Sequence, residues 1–269
     1  ENNYAEKITI NKIMQAPKNI EEIYQEINNF AQSAEERSLI FRIPYITDLF
    51  AKIRGIHRFG EKEIYHLGDI IPKNRPALDI GAGSGLYTYH LLKRAKYCIA
   101  FEPRLNAAAV LESRAHLWKK NLHIVNAAVS NDDSKVVVLR VPEKSIGWAT
   151  IEKSNLFTPL ENENINAINV FTVIIDKMNL LDVGFVKLDV EGHEISVLEG
   201  MKETIKKFRP NFLIETEDRH GGGGIKGIFE FMRDLDYSAC VVTNSGLKTV
   251  SQKKYTLMYE DRKAFNTIF

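Results

Sequence analysis

Leu78-Asp-Ile-Gly-Ala-Gly-Ser-Gly85 is the stretch that decides how this chain is read. Residues 76–80 form a short apolar run that reads as a buried strand, and residues 86–95 read as a helix. Between them glycine stands at alternate positions: Gly81, Gly83 and Gly85, with Ala82 in the turn. Glycine there lets the backbone turn sharply and approach a ligand where a side chain would clash. The spacing is GxGxG, and Leu86 stands where a dinucleotide fingerprint wants Gly or Ala. Asp79, two residues before the first glycine, would oppose a pyrophosphate and suit a cationic group.

Outward from that loop, strands alternate with helices. Strands are expected at 97–101, 122–129, 184–189 and 211–215, with extended runs at 135–141 and 170–175. Helices are expected at 106–119, 195–208 and 228–235, and two last strands near 239–243 and 256–259. Such alternation implies a mainly parallel sheet covered on both faces, with ligands beyond the carboxyl ends of the strands. Residues 1–75 read differently, as a helical N-terminal cap. Ile20, Ile23, Tyr24, Ile27 and Phe30 recur at helical steps, and Ser33 with Glu36 makes a capping box. A second helix runs toward Leu49, Phe50 and Ile53 and stops at Gly55, and a third segment, 63–71, ends before Pro72. The cap is expected to cover the crevice or to join subunits into a homo-oligomer.

Further motifs stand at strand ends. Glu102, in Ala100-Phe-Glu-Pro103, lies about 20 residues beyond Gly81, the distance at which an acidic side chain reaches ribose hydroxyls. Pro103 stops its strand. Asn126, beside Ala127, is either a holder of an adenine edge or an ordinary loop asparagine. Asp189, Glu191, His193 and Glu194 crowd one strand-to-helix junction, with Gly192 for the turn. They suggest catalysis, a cation site, or caps of the following helix. His193 is the candidate base, since its ordinary pKa near ~6.5 leaves it able to take a proton at neutral pH. Asp189 or Glu191 would orient its ring. No metal is expected, because capping explains the two carboxylates as well. Residues 215–220, before four glycines, form a substrate rim or a hinge. Lys202, Lys206, Lys207 and Arg209 suit a helix C-terminus. His57, His66, His90, His116 and His123 show no metal spacing, and Cys98 and Cys240 read as core residues.

Composition bounds the rest. The 269 residues are 44% hydrophobic and 26% charged, as globular chains are, with a net charge of +1. That balance argues against a surface given over to nucleic acid, and no nucleic-acid partner is expected. Two cysteines exclude a disulfide scaffold. No apolar run reaches the ~18 residues of a membrane span. The chain opens on Glu1, which leaves room for an upstream segment; the expectation is a cytoplasmic protein without a signal peptide.

Four strings in order carry a family resemblance: Leu78 to Gly85, Ala100 to Pro103, Lys187-Leu-Asp-Val-Glu-Gly-His-Glu194 with Val197-Leu-Glu-Gly200, and Arg209-Pro-Asn-Phe-Leu-Ile-Glu215. Together, over roughly residues 76–217, they resemble the FkbM-type methyltransferases. The family's glycine loop usually reads G-A-N-x-G, and Gly83 stands here in place of the Asn. The resemblance implies a Rossmann-like class I methyltransferase fold over residues 76–269, with a mainly parallel seven-stranded sheet and helices on both faces. It implies S-adenosyl-L-methionine as cofactor and O-methylation of a hydroxyl on a sugar, glycan or other small molecule. Asp79, Gly81, Ala82, Gly83, Gly85, Glu102, Pro103, Asn126, Ala127 and Asp189 are the expected cofactor contacts. His193, Asp189 and Glu191 are the expected catalytic set, and residues 145–160 with the cap are expected to meet the acceptor. The rival readings are a nicotinamide-dependent oxidoreductase, which Leu86 opposes, a nucleic-acid methyltransferase, and a binding module without catalysis.

Overall fold

The computed structural model describes residues 62–118, 121–133, 136–143, 146–152, 164–216, 224–243, 246–260 and 266–269. The amphipathic run at 20–30, the Ser33–Glu36 capping box, the helix toward Ile53 and His57 lie outside these residues, as do 145 and 153–160 of the expected acceptor segment and 217–223 of the glycine-rich rim.

β1 (Ala77–Ile80) pairs in parallel with β2 (Cys98–Phe101) on one side and β7 (Phe185–Leu188) on the other. β3 (Leu122–Val125) extends the parallel ladder beyond β2, and β8 (Asn211–Glu215) extends it beyond β7. β11 (Asn266–Ile268) joins β8 to β9 (Cys240–Thr243) with antiparallel pairing, and β10 (Gly246–Thr249) folds back on β9 at the edge. The order is β10-β9-β11-β8-β7-β1-β2-β3. Seven strands make the mainly parallel sheet expected, and the hairpin strand β10 brings the sheet to eight.

Alternation along the strands sorts the core into two layers. Leu78, Ile80, Val186, Leu188, Phe212 and Ile214 meet α4 (Glu194–Gly200), α5 (Lys202–Phe208) and α6 (Gly224–Asp234). Ala77, Phe185 and Leu213 meet the opposite layer, built from α1 (Leu67–Ile70) and α2 (Leu86–Leu91). α1 follows a 3-10 turn at Lys62–His66, so the segment 62–71 is part of this core. α3 (Leu105–Trp118) sets Leu111 against Ala82 and Ala100. No described helix is long and apolar enough to cross a membrane.

Three expectations change. Residues 122–129 are not one strand: β3 stops at Val125, and β4 (Ala128–Val129) joins a separate sheet with β6 (Ile165–Val173) and β5 (Val136–Pro142). The helix expected over 195–208 breaks between α4 and α5, where a Cβ on Gly200 would lie 2.2 Å from the Ser130 carbonyl oxygen. The strand expected at 256–259 is helical, within α7 (Gln252–Glu260). Tyr255 is fully buried there against Phe229, and Met258 and Tyr259 flank the same core at helical spacing.

Candidate active site

The residues marked in the sequence stand where the chain leaves β1, β2, β3 and β7. At the end of β1 the loop places Gly81, Gly83 and Gly85 at φ of 82°, 55° and 90°, a region that side chains adopt at a cost. Gly81 is required for a second reason: its Cβ would sit 1.7 Å from the Asp189 carbonyl oxygen. Gly83 is open by contrast, with only Arg104 Nη2 at 3.8 Å. The loop is therefore closed toward β7 at Gly81 and bare at Gly83. Ala82 is buried beneath it.

Glu102, at the end of β2, is 2% exposed. Its Oε2 accepts the Gly83 amide at 2.8 Å, and its Oε1 accepts the Arg104 amide at 2.9 Å and Arg104 Nε at 2.8 Å. Sequence spacing marked Glu102 as an acceptor for ribose hydroxyls; it did not show the Arg104 guanidinium on both oxygens. The Asn126 amide donates to the carbonyls of Glu102 at 2.8 Å and Pro103 at 3.0 Å. Its donor ties the end of β3 to the end of β2. Ala127 is buried behind it.

A buried ionic group fills the end of the α2-side layer. Asp79 is 1% exposed and accepts from Thr88 Oγ1 at 2.5 Å, so it lies under the glycine loop and anchors α2. Burial pushes its pKa up to about 6, against the opposing pull of Thr88 and Lys187. Lys187 shares that face by strand alternation and is 1% exposed. Its Nζ lies 3.4 Å from Asp189 Oδ2, 3.5 Å from Asn266 Oδ1 and 4.8 Å above the Tyr87 ring. Glu215 closes the group from β8: burial first, then the neighbouring Asp189, hold its carboxyl well above the usual range. Asp189, 28% exposed at its side chain, is more open than Asp79. Thr88 and Asn266 were not marked in the sequence: helix α2 brings Thr88 back to Asp79, and the sheet brings Asn266 to Lys187.

The turn from β7 into α4 holds the last cluster. Glu191 and Gly192 take φ of 53° and 97°. Glu194 serves the turn that precedes α4, accepting the amides of Gly192 at 3.1 Å and Val190 at 3.4 Å. His193 Nδ1 meets Glu152 Oε2 at 3.2 Å, and Nε2 meets Ser130 Oγ at 3.0 Å. The ring is thus oriented by Glu152 rather than by Asp189 or Glu191. Burial lowers the His193 pKa from its ordinary 6.5, while the Glu152 and Glu199 carboxylates pull it upward. Thr150 Oγ1 donates to the Glu191 carbonyl at 2.7 Å, a second clip from the same segment. Among the described residues, no set of three His, Cys, Asp or Glu side chains is arranged to hold a metal ion.

The family model for the methyltransferase FkbM domain matches residues 79–239. No curated protein matches the chain in sequence. Methyltransferase FkbM from Methylobacillus flagellatus KT superposes with a TM-score of 0.47 at 13% identity, covering 93% of this chain and 58% of its own. A precorrin-8w decarboxylase from Methanobacterium thermoautotrophicum gives 0.43 at 12% identity, covering 78% and 88%. A Streptococcus mutans protein in complex with SAH gives 0.43 at 13% identity, covering 72% and 99%. The chain spans 58% of the length of the Methylobacillus flagellatus protein.

Proposed function

The chain belongs to the FkbM family of S-adenosylmethionine-dependent methyltransferases, and we propose that it methylates a hydroxyl of a sugar, glycan or other small molecule. When bound, S-adenosylmethionine supplies a methyl group already activated on a sulfonium centre, which leaves the protein to align, to exclude water and to handle a proton. The residues that would hold it are the Gly81–Gly85 loop with Ala82, then Glu102 with Pro103, and Asn126 with Ala127. Glu102 would offer acceptors to the ribose, displacing or sharing Arg104. Asp79 beneath the loop and the more open Asp189 would set a negative field for a cationic amino-acid end.

One observation carries the hydroxyl reading: a largely buried imidazole, held at both nitrogens, stands at the turn after β7 with its pKa below 6.5. A neutral hydroxyl is a weak nucleophile and gains from a base that is unprotonated at neutral pH. An imidazole with a lowered pKa meets that need over a wider acid range than an exposed one. The acid limb of the rate–pH profile is therefore expected below pH 6.5.

The test is a methyl-transfer screen with radiolabelled cofactor over hydroxylated sugars, glycans and small alcohols, with amines and ribosomal RNA alongside. Label on oxygen of a small acceptor supports the reading, and label confined to amines or RNA overturns it. His193→Gln should lower turnover by ~10²–10⁴, with cofactor affinity nearly unchanged. Normal turnover in that variant would return His193 to a packing role.

A further inference from the structure

We infer that Ser130, His193 and Glu152 act as one proton relay, in which Glu152 is the positioning residue and Ser130 hands the acceptor's proton to the ring. The inference rests on the reading of His193 as base and adds two residues that no motif marked.

Its first ground is that the ring is held at both nitrogens. A carboxylate has no proton to give at neutral pH, so the 3.2 Å contact places the hydrogen on His193 Nδ1 and Glu152 accepts it. The neutral ring then carries its lone pair at Nε2, and Ser130 Oγ, 3.0 Å away, donates into it. A direct approach of an acceptor hydroxyl to Nε2 is therefore blocked by the serine. The second ground is that Ser130 is fixed. Its amide donates to the Val173 carbonyl at 2.9 Å, and its carbonyl is packed where a Cβ on Gly200 would stand. A hydroxyl on so fixed a backbone can pass protons, because it is donor and acceptor at once. Asn131 Oδ1, 3.4 Å from Ser130 Oγ, gives the hydroxyl a second acceptor once Nε2 is protonated.

The third ground is the origin of the parts. Ser130 follows β4, Glu152 follows the bridge between Arg140 and Thr150, and Thr150 clips the same segment to Glu191. The excursion between β3 and β7 thereby docks on the turn that carries His193 by three side chains, Ser130, Thr150 and Glu152. The charged groups facing the ring are Glu152 from that excursion and Glu199 from α4, and both favour the imidazolium.

The protons balance. As a C–O bond to the methyl formed and that methyl's bond to the sulfonium sulfur broke, the acceptor's O–H bond would break and its hydrogen would pass to Ser130 Oγ. The hydrogen already on Ser130 passes to Nε2, forming one N–H bond, and the serine ends as it began. The positive charge gained by the ring sits against Glu152 until the proton leaves to solvent.

The experiment is long-range proton–nitrogen NMR on the full chain with labelled histidine, followed as a function of pH. The wild type should show His193 as a single neutral tautomer, with hydrogen on Nδ1. Glu152→Gln keeps the shape and can either accept or donate, so both tautomers should appear and the His193 titration should move to lower pH. Hydrogen on Nε2 in the wild type, or an unmoved titration in Glu152→Gln, overturns the inference. With the hydroxyl acceptor that the screen returns, Ser130→Ala should lower kcat by about 10- to 100-fold with the melting temperature and KM for cofactor little changed. Full kcat in Ser130→Ala, with His193→Gln inactive, removes the relay and leaves the base standing. Full kcat in His193→Gln removes the base itself.

Discussion

Asp79 pays at neutral pH for its place under the glycine loop. Its folded pKa of about 6 lies above the ordinary 3.8, so the fold binds this proton more tightly than the unfolded chain does. That contribution favours folding fully below pH 3.8 and is lost as pH rises through about 6. Above that window the ionised, buried carboxylate opposes folding, offset in part by Thr88 and Lys187. Asp79→Asn retains an acceptor for Thr88 and leaves Lys187 its contact with Asp189 at 3.4 Å. The variant should gain on the order of 1–3 kcal/mol at pH 7.5, and its stability should fall less between pH 4 and 7. The same change weakens the negative field at the cofactor's cationic end, so affinity should drop while the melting temperature rises. Chemical unfolding at several pH values with calorimetry checks both, and a lower melting temperature at pH 7.5 contradicts the account. At Glu102 the stake is affinity: Glu102→Ala removes a charged acceptor and should weaken S-adenosylmethionine by about 1.5–3 kcal/mol, read by calorimetry.

The glycine loop separates two demands within one element. A Cβ on Gly81 would meet backbone, the Asp189 carbonyl oxygen at 1.7 Å, and cannot be relieved by a rotamer change. A Cβ on Gly83 meets only the Arg104 guanidinium, at 3.8 Å, an ordinary contact, though φ is 55°. Gly81→Ala should therefore fail to fold or melt far below the wild type. Gly83→Ala should fold, at a cost of about 1 kcal/mol, and lose cofactor affinity because its methyl stands on the bare side of the loop. Thermal melts with and without S-adenosylmethionine separate the two, and equal damage to folding in both contradicts the assignment. This loop was legible in the sequence because strand, turn and helix follow one another within a few residues. So was Glu102, which the parallel register of β1 and β2 sets beside the loop. The partners of His193 were not legible, since Ser130 and Glu152 lie 63 and 41 residues away along the chain. Nor was α7: Tyr255, Leu257 and Tyr259 alternate as a strand would, and only the burial of Tyr255, with its hydroxyl on the Thr216 carbonyl at 3.1 Å, selects the helix.

At the scale of the molecule, the question is where the folding unit begins. Composition placed a boundary near residue 75, because the alternation of strands and helices starts there. Packing draws it earlier. The compact unit runs Lys62–Phe269, and Leu67, Ile70 and Ile71 are buried with Leu91, Phe185 and Leu213 on one face of the sheet. The Asn211 amide also donates to the Ile70 carbonyl at 2.7 Å, which fixes the start of β8. Each buried aliphatic side chain contributes about 1.5–3 kcal/mol relative to exposure, so losing this segment removes several kcal/mol. That is a large part of the ~5–15 kcal/mol that holds a typical domain together. A chain beginning at Lys62 should melt cooperatively and bind S-adenosylmethionine. One beginning at Asn74 should expose the Leu91–Phe185 face, bind an apolar dye, and melt at a markedly lower temperature or not cooperatively at all. Calorimetric melts of the two chains side by side decide the matter. Equal melting temperatures would mean that residues 62–73 lie on the sheet without holding it, and that the unit begins where the composition changes.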